Sequence, residues 1–513
     1  MATGLRVQRN RYVDSVELLA VTRALRQDDQ DVEFATAVMA TPANIEALRD
    51  EGFAAEALTA ATPNDIVLAV RATNEALLED ALDRGERALS SPRSATGAPA
   101  AREPRSLHAA LDALTDPNIA IVSVPGAYAA LEAHKALAAG VDVLLFSDNV
   151  GIDEEVALKE HAARVGRLLM GPGAGTASLG GCGLGFANAV APGRVGVVAA
   201  AGTGAQEVMV LLDRWGQGVS QVIGVGGRDL SEAVAGRAAR LAVRALDQDP
   251  ATDVILLVSK PPSPEVARAV VSDCETTPLV AALIGLPPDA TVPGAAAVGS
   301  TLEAGAAHAV RHLGGSPPSD WSAWRAEVGG SLEGLGEARR AVCGLFSGGT
   351  LCYEALTLLQ PWLGDVWSNT PLDDRHHLPA PAGAHVCLDL GEEEYTKGRP
   401  HPMIDPAARL EALAELGGRD DVAVVLLDVV LGYGAHDDPA SVLAPVCAAL
   451  AVPDGPRVVV YVLGSEKDPQ GFHRQSDALR DAGCLVAPTG ARAALAAAAI
   501  ARRRPEIVEA ELW

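Results

Sequence analysis

GRVGVVAAAGTGAQEVMVLLD (residues 193–213) and RRAVCGLFSGGTLCYEALTLLQ (residues 339–360) are two statements of one pattern. Each opens with an apolar run of strand character, passes through a Gly-Thr turn and continues with helical periodicity. Gly202, Thr203 and Glu207 in the first stretch match Gly349, Thr350 and Glu354 in the second at the same spacing. Each stretch is followed by another strong strand with an acidic start, DVILLVS (253–259) and DVAVVLLDV (421–429). Alternating strands and helices predict parallel sheets whose ligands sit outside the carboxyl ends of the strands. A strand that runs through glycine into a helix presents unpaired N–H groups and the positive end of the helix dipole to one point, and that point attracts anions. Two such units in one chain predict two helix tips facing one phosphate or carboxylate.

Working outward, residues 193–313 keep a flavodoxin-like strand–helix rhythm. Residues 339–513 repeat it, interrupted at 361–384 by an insertion bearing proline and histidine; residues 314–338 read as a connector. Residues 107–192 form a Rossmann-like α/β domain that ends in the glycine-rich MGPGAGTASLGGCGLGFAN (170–188). Residues 1–88 alternate as a small α/β domain of ferredoxin-like or split type without a GxGxxG turn. Residues 89–106, rich in Pro, Ser, Ala and Gly, read as a linker, and EIVEAELW (506–513) reads as a surface tail. The fold class is α/β throughout.

A chain of 513 residues is multidomain, and with 49% hydrophobic but only 4% aromatic residues its cores are built from Ala, Val and Leu. A net charge of −25 excludes general binding to nucleic acid or anionic membranes, which needs Lys and Arg. A small anionic substrate then requires local help from helix ends and a few placed arginines. Seven scattered cysteines without a CxxC pair fit a reduced, cytoplasmic chain without structural zinc. The start MATGLRVQRNRYVDS has no apolar signal region, and no apolar run is long enough to span a membrane. No P-loop, GxSxG elbow, HxH or HExxH spacing occurs, so no metal site is expected.

The candidate anion-binding residues are Gly202, Thr203, Gly204 and Ala205 at the first tip and Gly348, Gly349, Thr350 and Leu351 at the second, with Glu207 and Glu354 as candidate catalytic carboxylates. GVGGRDLSE (224–232) adds Gly226, Gly227 and Arg228, either as an anion-binding turn with a guanidinium fork or as a loop in which Asp229 or Ser231 caps a helix. GRPHPMIDP (398–406) places His401 and Asp405 between stiffening prolines, with Arg399 as a charge partner. That loop reads either as a rigid holder of an imidazole and a carboxylate for proton transfer, or as a turn whose aspartate caps the next helix.

The order of these pieces resembles the succinyl-CoA synthetase superfamily, and specifically the FdrA family, over roughly residues 107 to 505. SVPGAYAALEAHKALAAGVDVLLFSDNV (123–150) and MGPGAGTASLGG (170–181) resemble the CoA-binding domain of the synthetase α subunit, and PGRVGVVAAAGTGAQEV (192–208) its ligase domain. SGGTLCYEA (347–355), HVCLDLGEEEYT (385–396) and DDVAVVLLDVVLGYG (420–434) resemble the carboxy-terminal domain of the β subunit. LGFAN (184–188), GGRDLSE (226–232), VSKPPSPEV (258–266) and GRPHPMIDP are of FdrA type. The resemblance implies that helix ends corresponding to Thr203 and Thr350 stabilise a phosphohistidine and that a glutamate matching Glu207 orients it. This chain departs from that pattern in three respects. Residues 285–310 read GLPPDATVPGAAAVGSTLEAGAAHAV with no GHAG, no ATP-grasp domain is present, and residues 5–88 replace the first half of the CoA-binding domain. It is therefore not expected to make acyl-CoA with ATP on its own. The FdrA resemblance implies a subunit of an oxamate carbamoyltransferase-type complex with two partner subunits. Such a complex moves a carbamoyl group from oxalurate to phosphate and binds phosphate or carbamoyl phosphate without metal or ATP. A CoA ligase subunit needing a separate ATP-grasp chain, with CoA as ligand, and a non-catalytic assembly subunit are the alternatives.

Overall fold

The computed structural model is α/β, as the strand–helix alternation predicts. It describes residues 1–11, 13, 15–26, 31–53, 58–90, 104, 106–287, 289–396 and 400–513, so Arg399 and most of the expected linker lie outside the described residues. The chain forms two compact units, Met1–Ala110 with Glu392–His401, and Leu111–Gly391 with Pro402–Trp513.

In the first unit, strand Ile66–Ala72 lies between Ala2–Gln8 and Val32–Met39 and runs antiparallel to both. The outer strands are thus parallel to each other, joined through helix Ser15–Arg26, and the third strand fills the slot between them: a split βαβ arrangement. The run IVLAVRA is apolar on both faces because both are covered. Ile66, Leu68 and Val70 pack with Leu25 and Leu82 of the helices Ser15–Arg26 and Glu75–Ser90, while Val67 and Ala69 pack with Leu48 and Phe53.

The second unit contains three sheets. Ile119–Val122, Asp142–Leu145 and Leu169–Met170 form a small parallel sheet with helices Gly126–Ala138 and Ile152–Val165 between them in sequence. The largest sheet runs Ala297–Gly299, Leu279–Leu283, Val254–Ser259, Pro192–Ala199, Val219–Gly224, and its five strands are parallel. Counted along the chain this is the order 2-1-3-4-5 of flavodoxin-like sheets. The hairpin Thr176–Leu179/Cys182–Gly185 extends its edge antiparallel to Val219–Gly224, although its residues fall inside the 107–192 segment of the sequence. Gly180 and Gly181, both at positive φ, form the two-residue turn that tightens this hairpin.

The third sheet is also parallel: Val366–Ser368, His385–Asp389, Ala341–Phe346, Val422–Val430, Arg457–Leu463, Leu485–Ala487. Without the edge strand Val366–Ser368, contributed by the 361–384 insertion, the order is again 2-1-3-4-5. One apolar core runs between the two large sheets. It is built from helices Gly202–Arg214, Leu302–His312, Gly349–Leu363 and Gly490–Arg502, with Trp324 and Val328 of the connector helix Ser322–Ser331. The expected surface tail is part of this core instead. Ile507 and Val508 are buried, and Arg492 donates to the carbonyls of Val508 and Ala510.

Candidate functional site

The two glycine turns meet. Thr350 N–H donates to Thr203 Oγ1 at 3.3 Å. The approach is close enough to require glycine: a Cβ on Gly348 would lie 2.7 Å from Thr203 Cγ2, and one on Gly204 would lie 3.1 Å from Thr350 Cγ2. Two residues of the same type, at matching positions of two similar units, therefore touch across a pseudo-twofold relation.

The same relation governs the two glutamates. Glu354 Oε1 accepts from Leu302 N–H at 2.6 Å, at the first residue of the last helix of the first half. Glu207 Oε1 accepts from Gly490 N–H at 3.4 Å, at the first residue of the last helix of the second half, and Oε2 accepts from the Tyr461 hydroxyl at 2.5 Å. Each glutamate thus caps a helix of the opposite half. Both are fully enclosed. Burial pushes the Glu207 carboxyl up to about 7, against the pull of the Tyr461 bond and Arg214. Burial, then the charge of Glu207, pushes Glu354 up to about 8. A third buried carboxyl, Glu303, is raised by burial and held by Arg492 at 2.7 Å and by the Thr489 hydroxyl. Five residues into their helices, Glu207 and Glu354 face the interface between the halves, and their hydrogen bonds run to the opposite half.

The two tips are not equivalent. In the second half Asp428 satisfies the turn that leads into the helix. Its carboxylate accepts from Ser347 N–H at 2.8 Å, Ser347 Oγ at 2.9 Å and Gly348 N–H at 2.8 Å, and buried Arg409 pairs with it at 3.2 Å. A Cβ on Gly349 would also meet Asp389 Oδ2 at 2.3 Å. At the second tip the N–H groups of Ser347 and Gly348 are thus taken by Asp428 and that of Thr350 by Thr203, and Leu351 lies in the core.

In the first half the register that sets Leu427 beside Leu345 sets Leu257 beside Val198, and the next residue, Asp428 in the second half, is Val258 in the first, so an apolar side chain stands in the carboxylate's place. Helix Gly202–Arg214, like helix Gly349–Leu363, has no side-chain cap. Gly202, Thr203 and Gly204 keep the N–H groups that helix geometry leaves without an intrahelical acceptor, whereas Ala205 N–H bonds to Ala201 O. Within 4 Å of a Cβ on Gly202 lies only Thr176 Oγ1, at 3.9 Å. Thr176 is 1% exposed, and its hydroxyl has no hydrogen-bond partner. Such an orphaned hydroxyl beside an uncapped helix tip is a place for a guest with acceptor oxygens.

The other expected residues serve different ends. Arg228 donates to Val150 O at 2.7 Å and pairs with Glu155 at 2.8 Å, so its guanidinium ties the turn to helix Ile152–Val165. Gly226, at φ +89°, admits Pro172 O where a Cβ would lie 2.5 Å away, and Gly227 is exposed beside it. Asp229 accepts from Ala238 and Ala239 N–H, and buried Lys159 pairs with it at 2.7 Å. Asp405 Oδ1 accepts from Ala407 N–H at 3.0 Å and caps helix Ala407–Leu416, the second of its two readings. His401, partly buried, belongs to the first unit. An open cavity of about 490 Å³ lined by Arg194, Asp253 and His312 lies at the opposite, amino ends of the strands.

Sequence reasoning missed Thr176 and the structural role of Asp428. Asp428 was visible as a lone acidic residue in an otherwise apolar strand, a signal of a buried, partnered carboxylate; Thr176 carried no signal. Among the described residues no group of three or more His, Cys, Asp or Glu is placed to hold a metal, and no helix is long and apolar enough to cross a membrane.

Residues 345–500 match the family described as CoA-ligase, and residues 1–105 match the family described as AllF, heavy metal-associated domain. The uncharacterized protein YahF of Escherichia coli (strain K12) is 36% identical over 97% of this chain and 98% of its own length. The succinate–CoA ligase [ADP-forming] α subunit of Methanothermobacter thermautotrophicus is 26% identical over 28% of this chain and 49% of that one. A dinucleotide-forming acetyl-coenzyme A synthetase 1 of Ca. Korarchaeum cryptofilum, solved with phosphate and ADP, aligns over 76% of this chain and 84% of its own at 16% identity and a TM-score of 0.25.

Proposed function

We propose, from the premise that this chain belongs to the family of the Escherichia coli protein YahF and carries a CoA-ligase-type domain, that it is a subunit of a carbamoyltransferase complex of FdrA type. The complex moves a carbamoyl group between an N-carbamoyl compound of oxalurate type and phosphate, with the phosphate or carbamoyl phosphate held at the N-terminus of helix Gly202–Arg214. One observation carries this reading. The tip of helix Gly202–Arg214 has three N–H groups without an intrahelical acceptor beside a buried, orphaned Thr176 hydroxyl, and it meets the matching tip of the second half through Thr203 and Thr350. Attack of a phosphate oxygen on a carbamoyl carbon develops negative charge on the carbonyl oxygen, and fixed N–H donors aimed at that charge lower the barrier. Holding phosphate and carbamoyl donor together removes the entropy cost of their meeting. Glu207 and Glu354 act as positioning residues by locking the two halves, so that the tips at Thr203 and Thr350 keep their contact. Partner subunits supply the rest of the site, including the groups that move protons.

Phosphate, and carbamoyl phosphate more strongly, is expected to raise the melting temperature of the purified chain or of its complex. Gly202→Val, whose side chain enters open space in front of the tip, abolishes that rise while keeping the fold. Absence of any shift with either ligand, alone or with partners, overturns the reading. A second reading, a CoA ligase subunit working with a separate ATP-grasp chain, is favoured by the match of residues 345–500 to the CoA-ligase family. Isothermal titration with CoA separates the two, since only the second reading expects binding.

A further inference from the structure

We infer that Lys260 is the cation that completes the anion site at the first helix tip and selects a compact dianion over a monocarboxylate. This rests on the reading given under Proposed function. Lys260 follows strand Val254–Ser259 directly, and Gly202 lies just beyond strand Pro192–Ala199. These two strands are neighbours, with Val258 beside Ala199, and between them the sheet order reverses. In an open α/β sheet that reversal leaves a crevice at the carboxyl ends where ligands bind. Lys260 therefore stands on one lip of the crevice and the uncapped tip on the other.

Its surroundings set its role. The ammonium lies 5.1 Å from the centroid of the Tyr353 ring, near the start of helix Gly349–Leu363. Tyr353 in turn abuts Gly285, where a Cβ would lie 3.4 Å from Cε1. Pro261 and Pro262 follow at once and fix the direction in which the chain leaves. Among the described residues no carboxylate pairs with Lys260. An aromatic face orients a cation without neutralising it. Tyr353 lies in the second turn of helix Gly349–Leu363, whose N-terminus meets that of helix Gly202–Arg214 through Thr350 and Thr203, and a further positive charge on this side of the sheet raises the energy of the empty site. The arrangement becomes favourable when an anion enters, and a lysine, as a point charge, favours the more highly charged guest. Arg228, the expected charge partner, is held elsewhere by Glu155 and Val150, which leaves this task to Lys260.

The test uses thermal melting of the full chain against inorganic phosphate and against acetate at constant ionic strength, for wild type, Lys260→Met and Lys260→Arg. Wild type is expected to be protected by phosphate and not by acetate. Lys260→Met is expected to melt at or above the wild-type temperature without ligand and to need about tenfold more phosphate for the same protection, the loss of one close charge contact. Lys260→Arg, which keeps the charge, retains most of the protection. Equal protection of wild type and Lys260→Met by phosphate overturns the role of Lys260 and leaves the anion site standing. Equal protection by acetate and phosphate overturns the selectivity. A wild type that neither phosphate nor carbamoyl phosphate protects overturns the functional reading, and the Lys260 inference with it.

Discussion

Glu354 is enclosed in a place where its ionised form is poorly solvated, beside two further carboxyl groups. In the unfolded chain it titrates near 4.5, and in the fold near 8. Between those values the folded state holds a proton that the unfolded state has lost. Stability from this group is therefore complete below about pH 4.5 and is lost as pH rises through about 8. Glu354→Gln keeps an oxygen for Leu302 N–H and removes the ionisation. Denaturant titrations at pH 6 and pH 9 are expected to show wild type losing on the order of 2 kcal/mol between the two, with the variant losing less than half of that. Parallel pH profiles for the two proteins would show that Glu354 stays ionised in the fold. The sequence made the matched spacing of Glu207 and Glu354 legible, because it repeats. It did not reveal their targets, since Leu302 and Gly490 each lie on the opposite half and no local pattern links them.

At the scale of elements, the contact between the two helix tips depends on the absence of side chains. Gly348→Ala places a methyl 2.7 Å from Thr203 Cγ2 in a packed contact, which is expected to cost about 1–3 kcal/mol. Thr203→Ser removes that methyl and keeps the hydroxyl that accepts from Thr350 N–H. The double variant is therefore expected to recover about 1 kcal/mol relative to the sum of the single changes, as measured by a double-mutant cycle in urea. Strict additivity would mean that the tips move apart freely. The convergence was legible because the strand, turn and helix pattern occurs twice, and one fold rule applied to both copies brings their tips to the same side of each sheet. The hairpin 176–185 was not legible. Its strands are four residues each and rich in glycine, so their period-2 signal is too short to separate from a loop. The hydroxyl of Thr176, carried on that hairpin, was hidden for the same reason.

At the scale of the whole second unit, the two halves, the connector and the C-terminal residues converge on one side chain. Arg492 belongs to the second half, and it pairs with Glu303 of the first at 2.7 Å. Its guanidinium lies 4.6 Å from the ring centroid of Trp321 in the connector and 5.5 Å from that of Trp513, and it donates to the carbonyls of Val508 and Ala510. Read alone, EIVEAELW has too many acids to suggest a core segment, yet its consecutive Ile507 and Val508 are buried in a 3-10 turn, and a buried guanidinium supplies donors for the carbonyls of Val508 and Ala510. Arg492→Leu removes the counter-charge of a fully buried carboxylate, which is expected to cost about 3–5 kcal/mol. Glu303→Gln in that background removes the stranded charge and is expected to return more than half of the loss, because the desolvation penalty, and not the missing attraction, dominates. Arg480→Leu, which breaks the exposed pair with Asp477, serves as the reference and is expected to cost under about 0.5 kcal/mol. Urea denaturation of the four proteins decides the matter. If Arg492→Leu costs no more than Arg480→Leu, water reaches Glu303 and the halves are not locked through this pair. If the loss is large and Glu303→Gln relieves it, the carboxylate cluster that includes Glu207 and Glu354 is dry, and the two halves whose tips meet at Thr203 and Thr350 are locked through this buried pair.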